Sequence, residues 1–403
     1  MSLYFRIFIC LIGLDIIMMP LGSILGQSGV GEVFFNLFKI PFLLLLVVVI
    51  IFHLRYRIRL NSISILFLTF GLFSLFNGLL NNDISKAFFT HVYGLILPVL
   101  GLSFGSYFYK YAYDQDVRLF HTVFKWSFFL LAGLTFVYFL LYISGVINYF
   151  GMATRWPYLA AYALSNNKLM MFIAAILLVI MTGKRSMIIQ YIVFIFVYFI
   201  QTRRINPFAL KKSVKLVFLL FIIGGVFLGL HQGVFHRFDS LLKIDFQDEY
   251  SLYIATSGRS AEVFGLLSHL ADNTDIWLMG GGFGETFTYM AGLDGEPYAI
   301  TTHYSHFSPF YFVLVYGAPF TILLYLSIIC IMIRSFTKIS DVFYMIAVGG
   351  FIASFFSSIM LVDLQFWIYF GGVIHASKNK KVLGKFNLVT RKNIIRTKGV
   401  CNV

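Results

Sequence analysis

"HFSPFYFVLVYGAPFTILLYLSIICIMI" runs from His306 to Ile333 without one Asp, Glu, Lys or Arg. A helix that crosses a membrane needs about 20 consecutive apolar residues, and this run exceeds that length. The chain enters it from "AITTHYS" (299–305), which sets His303 three positions before His306, and leaves through "RSFTK" (334–338). Read outward from there, apolar runs recur at 3–19, 34–54, 61–79, 88–108, 120–145, 168–182, 186–201, 213–231, 341–361 and 363–377. The piece "WPYLAAYALSN" (156–166) is too short to cross untilted. Pro157 suits its first helical turn, and "NNK" ends it. Only 12% of the chain is charged, with mean hydropathy +0.85, whereas a soluble domain is roughly a quarter charged. The expected fold is an all-α integral membrane protein of about 12 transmembrane helices, one short or re-entrant, with one large external loop.

Orientation follows from where lysine and arginine gather. "RYRIRL" (55–60), "RRINPFALKK" (203–212), "RSFTK" and the tail from Lys378 are the strongest basic segments. The positive-inside rule assigns them to the cytoplasm. Both termini then lie inside, and the first apolar run, which carries Asp15, reads as an uncleaved first helix. Parity holds with twelve elements and fails with eleven. "TGKRS" (182–186) resists the rule. Its helix ends in the larger cluster "RRINP", so Lys184 and Arg185 fall on the outer side. A basic pair against its preference suggests an anionic ligand; the competing reading is an arginine reaching for outer headgroups.

Segment 232–305 is the one long stretch that is not apolar, and parity puts it outside. It holds ten acidic and three basic residues, so the +14 net charge comes wholly from the rest of the chain. That distribution reflects membrane topology and argues against a nucleic-acid partner. The chain divides into N-terminal transmembrane helices (1–231), the external loop (232–305), C-terminal transmembrane helices (306–377) and a basic cytoplasmic tail (378–403) facing anionic lipid. Loops of this length usually carry function. Within it "SGRSAEVFGLLSHL" (257–270) reads as an amphipathic helix capped by Ser257, with Ala261, Phe264, Leu267 and Leu270 near one face. "DIWLMGGGFGE" (275–285) reads as a short strand or turn. Its glycines suit close backbone packing better than phosphate binding, since the Lys-Ser/Thr of a phosphate loop is missing. Cys10, Cys330 and Cys401 offer no disulfide framework.

Arg185, Arg259 and the His303/His306 pair stand out as outward-facing groups. Guanidinium groups bind phosphate oxygens bidentately, and a histidine can take a proton from a hydroxyl near neutral pH. Together they suit a lipid pyrophosphate leaving group and a sugar hydroxyl nucleophile. Arg259 could instead pair with Glu262 at i+3. The two histidines could ligate a metal with Asp294 or Glu296, but i, i+3 spacing is a weak signal, and no metal or cofactor is expected. Asp15, Lys39, His53, His91, Lys125 and Asp363 could form a proton relay; paired or interfacial roles suit their positions near helix ends better.

Three segments in order resemble the bacterial O-antigen polymerase and O-antigen ligase family. "LLVIMTGKRSMIIQYIVF" (177–194) resembles its apolar–Thr-Gly-Ser-Arg–apolar element, with Lys184 where Ser is common. "SGRSAEVF" (257–264) resembles its loop arginine motif. "LMGGGFGETF" (278–287) followed by "HFSPFYFVLVYGAPFTILLY" (306–325) resembles its Gly-x-Gly turn and histidine entry into the next helix. The family histidine precedes the helix glycine by eleven positions, which selects His306 ahead of Gly317. Phe307 departs from the pattern, where Asn is frequent. The likeness implies metal-independent glycosyl transfer at the periplasmic face of the inner membrane, from a glycan on undecaprenyl pyrophosphate. Arg185 and Arg259 would hold the pyrophosphate, and His306 would act as general base. Lys184, Arg155, His303 and Tyr304 would bind substrate. Membrane lipids and a chain-length regulator are the expected partners. The expected activity is O-antigen polymerase; ligase is the alternative, and a polysaccharide flippase the minor one.

Overall fold

The computed structural model describes residues 2–27, 39–56, 58–147, 155–180, 185–205, 251, 253, 256, 258–292, 298–336, 342–357, 360, 363–378 and 386. The elements in chain order are α1 (Ser2–Gln27), α2 (Ile40–Arg55), α3 (Ser62–Asn81), α4 (Lys86–Tyr111), α5 (Asp114–Ile143), α6 (Trp156–Ser165), α7 (Leu169–Ile180) and α8 (Arg185–Ile205). After them come α9 (Arg259–Asp272), α10 (Thr274–Met279), β1 (Phe287–Ala291), β2 (Tyr298–Thr302), α11 (Ser308–Tyr316), α12 (Ala318–Phe336), α13 (Val342–Ala353) and α14 (Leu364–Lys378). Among the described residues, α1, α3, α4, α5 and α12 are long and apolar enough to cross a membrane, and α2, α7, α8 and α13 are shorter apolar helices. The molecule is a predominantly helical chain with the composition of a membrane protein. The expected run at 213–231 lies outside the described residues.

Packing follows side-chain size. Where α4 meets α14, a Cβ on Gly105 would overlap the Ile368 carbonyl, and one on Gly371 would overlap that of Leu102. Ser106 Oγ donates to the Gly371 carbonyl at 2.8 Å. Small residues let apolar helices approach backbone to backbone, which is how helices associate where lipid removes the hydrophobic drive. Large apolar side chains on α2, α3 and α5 point outward instead, among them Leu43, Phe76 and Phe129.

The short element expected at 156–166 is α6, and it lies inside the bundle with all ten residues buried. It starts at Trp156 with Pro157 in its first turn and stops where Asn167 takes φ +55°. Arg155 precedes it. Its guanidinium reaches Asp15 of α1 through Nε at 3.1 Å and Asp363, just before α14, through Nη1 at 2.6 Å. Tyr158 donates to the same Asp363 oxygen, and Gln365 Nε2 donates to Asp15 at 2.8 Å. One cluster thus ties together the first, middle and last parts of the chain. Asp15 and Asp363 are paired in this way, as the preferred reading of the intramembrane charges expected.

Three local expectations need correction. The run 306–333 is two helices: Gly317, with φ +86°, breaks it between α11 and α12. Residues 274–279 form a turn-and-a-half of helix, and the glycines follow it as a turn; the strands lie further on, pairing antiparallel with Phe287 opposite Thr302. Helix α9 begins at Arg259 with Gly258 at its N-cap, and the Thr256 hydroxyl accepts from the Ser260 N–H at 3.0 Å. Its buried face is Glu262, Leu266 and Leu270, while Phe264 and Leu267 are exposed. The apolar tally missed this because an acid belongs to the buried stripe.

Candidate active site

The glycine turn fixes where α9 and the hairpin sit. Gly282, at φ +81°, lies against α3: a Cβ there would come within 2.6 Å of the Gly78 nitrogen and 2.8 Å of the Ser74 carbonyl. Phe283 donates its N–H to the Ser74 carbonyl at 3.0 Å, and Gly281 donates to Leu314 of α11 at 2.8 Å. Asn77 of α3 and Asn82, the residue after its end, cap the turn, donating to the carbonyls of Gly280 (3.0 Å) and Gly281 (2.9 Å). The turn is a backbone-packing device, as its glycines suggested.

His91, buried in α4, completes the attachment. Its Nδ1 accepts the Gly284 N–H at 3.0 Å. Its Nε2 lies 2.7 Å from the His303 carbonyl, so Nε2 carries the proton and the ring is neutral. The ring clamps the start and the end of the turn-and-hairpin segment to one helix. Clamping, and not proton relay, accounts for both of its nitrogens.

From this base, β2 delivers His303, Tyr304 and His306 in a row. Ring centroids are 5.5 Å apart for His303 and Tyr304, and 5.7 Å for Tyr304 and His306. Across from them stands Glu262. It takes the His306 backbone N–H on Oε1 at 2.5 Å and the His306 ring through Nδ1 on Oε2 at 2.6 Å. Burial alone would raise the Glu262 carboxyl. Hydrogen bonds from His306 and Ser305, with the His306 charge, outweigh it and hold the group below its ordinary range. An ionised carboxylate only accepts, so His306 Nδ1 carries a proton and Nε2 is the ring nitrogen turned away from the acid. The His306 side chain is 38% exposed, so a base aimed outward is held from behind by a buried acid. At His303 burial, then the charge of Lys86, lowers the affinity for a proton.

Arg259 lies one helical turn before Glu262 on the same helix. Its Nη1 donates to the Phe356 carbonyl at 2.5 Å, in the turn that follows α13. That turn also receives the start of α11: Ser308 donates through N–H to Ser354 (2.9 Å) and through Oγ to Ser357 (2.9 Å). Arg259, Glu262 and His306 therefore share one corner built from α9, α11 and the 354–357 turn. The pairing of Arg259 with Glu262 gives way to a Glu262–His306 pair.

Comparisons with protein families, curated proteins and solved structures find no match.

Of the residues singled out in the sequence, the structure joins His306, Tyr304, His303 and Arg259. Arg155 sits apart, committed to Asp15 and Asp363 in the bundle interior. Arg185 opens α8, but its side chain, like all of Lys184, lies outside the described residues. So do Asp294 and Glu296. Glu262 was missed as a functional residue. The signal was present: Glu262, Leu266 and Leu270 recur every four residues, and an acid in a buried stripe needs a partner.

Proposed function

We propose that the chain is an O-antigen polymerase. On this reading it spans the bacterial inner membrane about 12 times and joins undecaprenyl-pyrophosphate-linked repeat units at the periplasmic face. The observation that carries the proposal is the Glu262–His306 pair one turn from Arg259. The acceptor hydroxyl oxygen attacks the anomeric carbon of the donor sugar, and the bond from that carbon to the pyrophosphate oxygen breaks. The hydroxyl proton passes to His306 Nε2, and Glu262 stabilises the imidazolium that results. The pyrophosphate departs with the electron pair, still attached to its lipid. A guanidinium has five donors, enough for Arg259 to hold the Phe356 carbonyl and phosphate oxygens together, and Arg185 is the second arginine for the developing charge. The resemblance of the three sequence segments supplies the identity of donor and acceptor. The pair and the arginine supply a chemistry that fits them.

Separate His306→Ala, Arg259→Ala and Arg185→Ala strains test it. Each is expected to lose long-chain polymer while the protein stays at normal level in the membrane. Polymerase loss leaves one repeat unit on the lipid core, whereas loss of a ligase leaves none, so the glycan profile separates the two activities. Wild-type chain lengths in the His306→Ala strain would sink the reading.

A further inference from the structure

Helix α9 has two faces with different chemistry. Glu262, Leu266 and Leu270 turn toward the bundle. On the opposite side a groove of about 670 Å³ lies between α9 and β1, lined by Ser260, Phe264, Ser268 and Asp272 of the helix and by Thr288 and Tyr289 of the strand, among others. Its floor is rigid. A Cβ on Gly265 would come within 2.9 Å of the Thr288 carbonyl, so helix and strand touch directly there. Thr288 is further held by Thr301 across the hairpin, hydroxyl to hydroxyl at 2.9 Å.

The lining sorts possible ligands. Among the described lining residues there is no Lys or Arg; Asp272 is an acid, and the histidine, His269, is engaged by Glu285 at 3.1 Å. A phosphate or a carboxylate ligand would therefore meet Asp272 with no lysine or arginine to offset it and with His269 already held by a carboxylate. A purely apolar ligand would strip water from the Ser268 and Tyr289 hydroxyls and from the Asp272 carboxylate. A pyranose ring fits both: it presents a face of C–H bonds to an aromatic surface and a rim of hydroxyls to short polar side chains. Phe264, 47% exposed, supplies the aromatic surface. Serine, threonine and tyrosine hydroxyls with the Asp272 carboxylate supply the rim. From Ser260 to Asp272 the helix runs about 18 Å at its usual rise, and the volume is that of an ordinary small-molecule site, so several sugar units have room. The groove adjoins the catalytic corner, because Ser260 and Ala261 of its lining stand between Arg259 and Glu262 on α9.

We propose that this groove binds the sugar chain of an oligosaccharide that is uncharged or carries amino groups. The inference rests on the glycosyl-transfer reading only for the role of that sugar, as the acceptor whose hydroxyl is led toward His306. Anion and sugar are then held by opposite faces of one helix.

The test uses the full-length protein in lipid nanodiscs. The probe is the oligosaccharide released by mild acid from the surface polysaccharide of the strain that encodes the protein, labelled at its reducing end and followed by fluorescence polarisation. Saturable binding is expected, with no displacement by inorganic pyrophosphate. Phe264→Ala and Asp272→Asn should each weaken it about tenfold or more, and Phe264→Tyr should retain it. Both positions are exposed, so the variants should fold, as an unchanged thermal unfolding curve will verify. Variants that bind like wild type, a wild type without saturable binding, or displacement by pyrophosphate would overturn the proposal. Groove-dependent binding in a protein whose His306→Ala strain still makes full-length polymer leaves the groove standing and removes the transfer reading. Polymer loss in that strain without groove-dependent binding does the reverse.

Discussion

Glu262 is 3% exposed and ionised, which is tolerable because His306 satisfies both of its oxygens and Ser305 adds a further hydrogen bond. Replacing it with Gln keeps the shape and removes the charge. On the proposed transfer reading, Glu262→Gln should then lower the rate by up to about 10²–10⁴-fold, the range of general base catalysis itself, with KM nearly unchanged. Single-turnover assays in reconstituted membranes would measure this split, and an unchanged rate would refute the orienting role. The same residue has a stability signature. Its carboxyl binds a proton less readily folded than unfolded, so its contribution is full above the ordinary glutamate pKa of about 4.3. The contribution is lost as pH falls through the lower folded value. Thermal unfolding followed down in pH should show this acid-side loss in wild type, with that part of the slope missing in Glu262→Gln. At this scale the sequence was legible for His306 and Arg259, because their residue types and spacing are local. Glu262 was not, because its role depends on a partner 44 positions away.

At the scale of elements, the glycine turn does for the segment of α9 and the hairpin what a capping residue does for a helix. Gly282→Ala combines a left-handed backbone with an overlap on α3, and should cost more than about 2 kcal/mol. Asn82→Ala removes donors to the Gly281 and Phe283 carbonyls and should cost about 1–3 kcal/mol. Thermal unfolding in detergent would rank the two, and a Gly282→Ala protein as stable as wild type would contradict the close approach. "GGGFG" announced tight backbone packing, and α6 announced itself by Pro157 and the asparagines. The break at Gly317 was hidden, because a glycine inside an apolar run looks the same whether the helix continues or turns. The buried stripe of α9 was hidden for a different reason: hydropathy scores an ion pair as surface.

For the whole molecule, the Arg155 cluster is a charged joint deep in the bundle. Arg155→Met strands two buried carboxylates and should destabilise the fold by about 3–5 kcal/mol. The triple variant Arg155→Met, Asp15→Asn, Asp363→Asn removes the uncompensated charge and should recover much of the loss. Fluorescence-detected size-exclusion after heating would compare them, and equal melting of the two variants would show that charge is not the cause. The apolar runs made the helical class readable along the chain. Which helices neighbour one another was not readable, since Asp15, Arg155 and Asp363 are spread over nearly the entire sequence and no periodicity connects them.

That spread sets a timetable. Asp15 is synthesised 350 positions before Gln365, one of its partners. At about 5–20 residues per second it waits roughly 18–70 s before Gln365 emerges. Throughout that interval the first helix holds an incompletely matched acid in an apolar layer, so the nascent chain should be most exposed to membrane quality control until α14 arrives.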